Sequence, residues 1–318
     1  EAATPQVGRT HGQHAVPITF GFAVAEYVSR LGTRLLRLEE TAAQLRGKMA
    51  GAVGAYNASH LFFDDPEDFE REVLGLLGLE PGGHSTQIVE PEYLLDFGHA
   101  VVSTFGVLAN LADDLRHLQR TEIGEVGEAF DPQQVGSSTM PHKRNPWNFE
   151  HVKSLWKAFV PRILTVYMDQ ISEHQRDLTN SASSRFFPEL LAGLTLAAAR
   201  LEREISRLGV DRERMAANLK ASQEMVVAEP LYILLAALGH PDAHEAVRRL
   251  TLEAERTGRP LRELAQQSHD LRPYLERMSE QQRWVIAHPE AYRGIAEQKA
   301  LKICRQWEGY LRERGVEV

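Results

Sequence analysis

Between Pro91 and Pro132 the chain contains no proline, and Leu94, Phe97, Val101, Phe105, Leu108, Leu111, Leu115 and Leu118 recur at spacings of three and four. That period places them on one face of a helix. At 1.5 Å per residue a helix of about thirty residues or more reaches about 45 Å, and an apolar face of that length needs long partners. The chain offers three: Pro17 to about Met49, Pro146 to about Ile171 with Leu155, Phe159, Ile163 and Val166, and Phe187 to Leu208 with Leu190, Leu194, Ala198, Leu201 and Ile205. No run of alternating β-branched residues competes with them, so sheet content is expected to be minor. The expected fold is all-α. A long-helix bundle over residues 1–210 is followed by a small helical domain over 211–318, where Leu208-Gly209-Val210-Asp211 breaks the pattern. Shorter segments beyond it are punctuated at Gly239-His240-Pro241, Gly258-Arg259-Pro260 and His288-Pro289. Helices this long in a soluble protein pack as bundles and often share them between subunits.

Charge narrows the class of partner. The 318 residues are 43% hydrophobic and 25% charged, ordinary for a globular chain of more than one domain, and the net charge of -8 argues against nucleic acid. Arg9, Lys143, Arg144, Arg176 and Arg185 nevertheless gather near the sequence's polar motifs, a local reversal that suits a small polyanion. The single cysteine, Cys304, permits no intrachain disulfide and fits a reducing compartment. No apolar run long enough to span a bilayer and no signal peptide is expected from the sequence, and the protein is expected to be cytoplasmic.

The motifs themselves point to chemistry on an anion. In Gly136-Ser137-Ser138-Thr139-Met140-Pro141-His142-Lys143-Arg144-Asn145-Pro146, the glycine frees the backbone, the serines offer hydroxyls and Lys143 supplies a compact cation. Asn145 is expected at the N-cap and Pro146 at the first helical position, so the loop would end on the positive end of a helix. In His174-Gln175-Arg176-Asp177-Leu178-Thr179-Asn180-Ser181-Ala182-Ser183-Ser184-Arg185, two arginines and several hydroxyls make a cluster fit for a phosphate. Asp64-Asp65-Pro66-Glu67-Asp68 reads as a solvated helix start. No spacing of the His-Glu-x-x-His kind occurs, so neither a metal nor another cofactor is expected.

The first loop, Gly-Ser-Ser-x-Met-Pro-x-Lys-x-Asn-Pro, resembles the signature of the fumarase/aspartase superfamily of lyases at every fixed position. Gly8-Arg9-Thr10-His11-Gly12-Gln13-His14 resembles its Thr-His motif. The resemblance implies that Ser137 is the base that removes a carbon-bound proton and that His11, paired with Glu150, is the general acid. A histidine suits that role, its ordinary pKa lying near neutrality. His14 and His142 read equally well as polar wall residues. The Arg176 segment is similar to the adenylosuccinate lyase pattern Arg-Asp-x-(Ser/Thr)-x-Ser-x-x-x-Arg, and Ser85-Thr86-Gln87 to a Thr-Gln pair of that family.

From the resemblance, Thr10, Gln87, Lys143 and Asn145 would touch the substrate, and Arg176, Ser181 and Arg185 would hold the 5′-phosphate of a succinyl-purine nucleotide. It also implies a homotetramer with sites shared between subunits, and β-elimination of fumarate from adenylosuccinate and from the succinylated carboxamide intermediate of purine synthesis. Family members carry a further domain before the Thr-His motif, which this chain is expected to lack. Two other readings stay open: another lyase or cycloisomerase of the superfamily, which would not need the arginine cluster, and an inactive oligomeric bundle.

Overall fold

The computed structural model describes residues 1–129, 140 and 142–318. They group into two compact units, one made of residues 1–28, 120–126 and 210–318, the other of 29–119 and 127–209.

The first unit opens with an antiparallel hairpin, β1 (Pro5–Thr10) and β2 (Gln13–Thr19). This corrects the expected helix start at Pro17, which lies in β2 opposite Val7. The helix α1 (Phe20–Ala43) begins after Thr19, whose hydroxyl accepts from the Phe22 amide at 3.1 Å. A buried threonine N-cap thus sets the start that proline was expected to set.

The second unit contains β3 (Arg46–Gly47), α2 (Pro66–Gly75), β4 (Glu80–Pro81), α3 (Glu92–Leu118), α4 (Trp147–Phe159), α5 (Ile163–Met168) and α6 (Phe187–Ile205). The acidic run opens α2 as expected, with the Asp65 carboxylate accepting from the Asp68 amide at 2.9 Å. The 27 residues of α3, about 40 Å of helix, pack along α4 and α6. Leu95 and Val101 of α3, Ile163 and Val166 of α5, and Phe187 and Leu190 of α6 form one buried cluster. The expected helix from Pro146 to Ile171 is interrupted at Val160–Arg162, a 3-10 turn, because Pro161 has no amide to donate and its ring crowds the preceding turn. The expectation that no apolar run is long enough to span a bilayer is corrected by α3. Among the described helices it reaches the length and mean hydropathy, 1.4, of a membrane span, although 56% of that window is buried inside the protein.

Two helical glycines let these helices approach. A Cβ on Gly193 of α6 would lie 2.5 Å from the Phe159 ring and 3.2 Å from Phe105, and one on Gly98 of α3 would lie 2.9 Å from Phe187. Gly193→Ala is expected to destabilise the protein by about 1–3 kcal/mol through overpacking, despite alanine's better helix propensity, worth about 1 kcal/mol. Chemical denaturation of the variant measures this, and equal or greater stability would contradict the packing.

The rest of the first unit is helical: α7 (Arg212–Val226), α8 (Ala228–Ala237), α9 (Ala243–Thr257), α10 (Leu261–Gln267), α11 (Arg272–Arg277), α12 (Glu280–Ala287) and α13 (Ala296–Arg312). Asp211 caps α7, Ser279 makes a capping box on α12, and Gly258 ends α9 at φ +69°. Leu231, Leu235, Leu261 and Leu271 lie at the centre of its core. Helices dominate the described residues, and the strands are confined to short ladders.

Candidate active site

In the first unit the Thr-His motif is the tip of the hairpin. Thr10 pairs with Gln13, and the two residues between them, His11 at φ +54° and Gly12 at φ +72°, are both left-handed. Two successive left-handed residues turn a hairpin with the twist its strands prefer, and histidine tolerates that region better than most side chains. His11 is therefore presented, exposed, at a two-residue turn.

Beneath the turn lies Glu125, a residue sequence reasoning did not single out. It is fully buried and accepts from Arg9 Nη2 at 2.6 Å, Arg9 Nη1 at 3.0 Å, Gln6 Nε2 at 2.7 Å and Asn218 Nδ2 at 2.8 Å. Burial pushes its carboxyl up, but the hydrogen bonds from Arg9, Asn218 and Gln6 prevail and hold it below the ordinary carboxylate value. Its stabilising effect is therefore complete above the unfolded pKa near 4.5 and disappears as the pH falls through the depressed folded value. The gap in thermal midpoint between the wild type and Glu125→Gln is expected to be full at pH 7 and to shrink in acid below pH 4.5. A gap independent of pH would contradict this ionised, fully bonded carboxylate. His14, opposite Arg9 in the hairpin, bonds through Nδ1 to the Ser222 hydroxyl of α7. Desolvation, and then the charge of Arg9, hold its imidazole below the usual histidine range.

In the second unit, Ser137 lies outside the described residues. Lys143 is exposed, and Asn145 is half-buried with its carbonyl accepting from the Trp147 amide at 2.9 Å. The expected N-cap at Asn145 is not formed. The helix α4 starts at Trp147, Pro146 holds the cap position, and no side chain bonds from it. The anion on this helix end comes from elsewhere in the chain: Glu128 accepts from the Phe149 amide at 2.8 Å and from Asn148 Nδ2 at 2.8 Å. A buried carboxylate thus occupies the positive end that the sequence reading offered to a ligand. Burial raises its pKa above the ordinary value, with Glu204 adding a smaller push. Arg200 extends the chain of bonds, donating to Asn148 Oδ1 at 2.7 Å.

Glu150 stands exposed in the first turn of α4, beside a depression of about 240 Å³ lined by Arg116, Lys153, Ser154 and Lys157. His11 and Glu150 belong to different units.

The other expected binding segments meet within the second unit. The Gln87 amide donates to the Gln175 carbonyl at 3.1 Å, joining the Thr-Gln loop to the residue before Arg176. Arg176 sits at φ +139°, a backbone state that disfavours side chains, and follows His174 at φ +43°. Its Nη1 donates to the Asp169 carbonyl at 3.2 Å, while its Nε is buried with no partner among the described residues. Asp177, beside it, is turned into its own loop. Bonds from the Thr179 hydroxyl and amide and from the Glu173 amide hold its pKa at about 2. Ser181 and Arg185 are exposed, Arg185 in the 3-10 turn Ser183–Phe186.

Lys48 is a second residue missed from sequence. Its ammonium donates to the carbonyls of Thr86 at 2.8 Å and Gln87 at 3.0 Å, and also to that of Gly51. It draws a glycine-rich loop onto the Thr-Gln loop. Gly54, at φ +81°, has no room for a Cβ, which would fall 1.8 Å from the Ser85 carbonyl oxygen.

Comparison with known proteins bears on this arrangement. A lyase family model matches residues 1–158, and a model of the adenylosuccinate lyase C-terminal region matches residues 172–282. The adenylosuccinate lyase of Methanothermobacter thermautotrophicus is 34% identical over 312 residues, 96% of this chain and 68% of the relative. The chain belongs to the adenylosuccinate lyase family. It lies within the fumarase/aspartase superfamily. The adenylosuccinate lyase of Pyrococcus horikoshii is 36% identical over 307 residues, covering 95% of this chain and 66% of the relative, so the chain spans about two thirds of the length of these family members. The N-acetyl-S-(2-succino)cysteine lyase of Enterococcus italicus is 31% identical over 97% of the chain and 68% of its own length. Among solved structures, the 3-carboxy-cis,cis-muconate lactonizing enzyme from Pseudomonas putida superposes with a TM-score of 0.78 at 26% identity, over 95% of this chain and 66% of its own.

Proposed function

We propose that the protein cleaves adenylosuccinate to AMP and fumarate by β-elimination, and acts likewise on the succinylated carboxamide intermediate of purine synthesis. The observation that carries this reading is Arg176: a strained backbone, a buried Nε without a partner among the described residues, and a place in the chain next to Gln175, which bonds the Gln87 loop. Strain of this kind is tolerated where surrounding structure and function require it, and an unpaired guanidinium N–H is a ready donor to a phosphate. Arg176, Ser181 and Arg185 hold the 5′-phosphate, while Thr10, Gln87, Lys143 and Asn145 hold the succinyl and purine parts.

Ser137 removes the proton from the carbon next to a carboxylate, and the charge spreads into that carboxylate. Lys143 and Asn145 stabilise the charge as it develops, lowering the barrier. The carbon–nitrogen bond then breaks and His11, paired with Glu150, protonates the departing nitrogen. A serine is a weak base at neutral pH, so its activation comes from the positive groups around it. The working form is a cytoplasmic homotetramer whose sites draw residues from several subunits, and no metal or other cofactor takes part.

Calorimetric titration with AMP tests the nucleotide reading. AMP is expected to bind the wild type in competition with inorganic phosphate and to bind Arg176→Ala about ten- to a hundredfold more weakly. Undiminished AMP binding by that variant would favour a lyase of a non-nucleotide succinyl adduct.

A further inference from the structure

Two strands alone make a marginal hairpin in water, and this one ends in the exposed turn that carries His11, so something else must hold it. Regular alternation would send Gln6 and Arg9, one at an even and one at an odd position, to opposite faces of β1. The register slips between Val7 and Arg9, a bulge that turns both side chains toward one point. Gly8 makes the bulge possible, since a Cβ there would lie 2.7 Å from the Val16 carbonyl oxygen. The point of convergence is the carboxylate of Glu125, with the Arg9 fork 2.6 and 3.0 Å from its two oxygens, and its remaining bond comes from Asn218 of α7. Asn218 also donates to the Ile123 carbonyl at 2.8 Å, and the Asp211 amide to the Glu125 carbonyl at 3.0 Å, so the glutamate is itself fixed from the cap of α7 and from within the helix.

We propose that Glu125 is a positioning residue: its buried carboxylate, gripped by Arg9, Gln6 and Asn218, clamps the hairpin and thereby sets where the turn holds the His11 imidazole. The bonds it makes are directional and charge-assisted, so they fix orientation as well as attachment. Arg9 stands in β1, two residues before His11 in the turn, and any tilt of the fork passes straight into the turn. The inference rests on the lyase reading in that it takes His11 as the general acid.

The test uses protein made from the full coding sequence, as wild type, Glu125→Gln and Arg9→Lys. Glu125→Gln removes the charge, and Arg9→Lys keeps the charge but loses the two-point fork. Both are expected to fold and to lower kcat by about tenfold or more with KM little changed, because a displaced acid is felt in the transition state and not in binding. Hydrogen exchange at the amides of residues 10–14 is expected to accelerate while the α8–α10 core stays protected. Folded variants with wild-type kcat and unchanged exchange in the hairpin would overturn the proposal. So would loss of kcat that merely tracks unfolding of the whole unit. Should the wild type itself release no fumarate from adenylosuccinate, the lyase reading fails, while the exchange comparison still judges the clamp.

Discussion

His11→Asn is expected to lower kcat for adenylosuccinate cleavage by about a hundredfold to ten-thousandfold, the usual contribution of a positioned acid or base, with KM nearly unchanged. Asparagine is the informative substitute because it accepts the left-handed backbone that His11 adopts at φ +54°. The hairpin turn is preserved and the proton donor is lost. Binding precedes the proton transfer, so an interaction made only as the nitrogen leaves shows itself in kcat. Ser137→Ala is expected to match it, abolishing turnover while leaving the fold and substrate binding largely intact. Steady-state kinetics on both variants decide the point. Turnover within a few-fold of wild type in either one would remove that residue from the chemistry.

Arg176 supports the second large effect, and here two substitutions are expected to separate backbone strain from ligand binding. At φ +139° any side chain is strained by about 1–3 kcal/mol, a cost glycine escapes. Arg176→Gly should therefore be more stable than Arg176→Ala in chemical denaturation. Both should lose about ten- to a hundredfold in affinity for AMP, as expected for removal of a charge-assisted bond. Such a pair of results is the signature of a residue kept for its ligand at the expense of its backbone. If Arg176→Gly bound AMP as the wild type does, the strain would have no functional explanation here.

How far the sequence foretold this molecule depends on where the signal resides. The face from Phe97 to Leu118 was legible because helical period and burial largely report the same thing, whereas Leu94, expected on it, is 40% exposed and Leu95 is buried instead; α3 ends at Leu118. The hairpin was not legible. Its strands are short, one contains Pro17, and the motif in its turn was read for its chemistry alone. The two-residue connection His11-Gly12 was the available sign, since a glycine at the second position of a tight turn favours this geometry.

The cap on α4 was misplaced for a different reason. Asn145 and Pro146 carry the local signature of a helix start, but a carboxylate from Glu128, distant in sequence, takes the amide instead. Tertiary contacts of this kind leave no periodic trace. Glu125 and Glu128 sit in Thr121-Glu122-Ile123-Gly124-Glu125-Val126-Gly127-Glu128, where composition suggests an exposed connector, and only the fold reveals both as buried. Lys48 was hidden likewise, because its partners are backbone carbonyls, which every residue possesses.

The central claim is the reaction itself, and the direct measurement is product release from adenylosuccinate by protein expressed from the full coding sequence. Argininosuccinate and N-acetyl-S-(2-succino)cysteine serve as parallel substrates. The account predicts fumarate and AMP in equal amounts from adenylosuccinate, with neither of the other adducts consumed at a comparable rate. Fumarate from the cysteine adduct alone, or none from adenylosuccinate by a properly assembled oligomer, would contradict it.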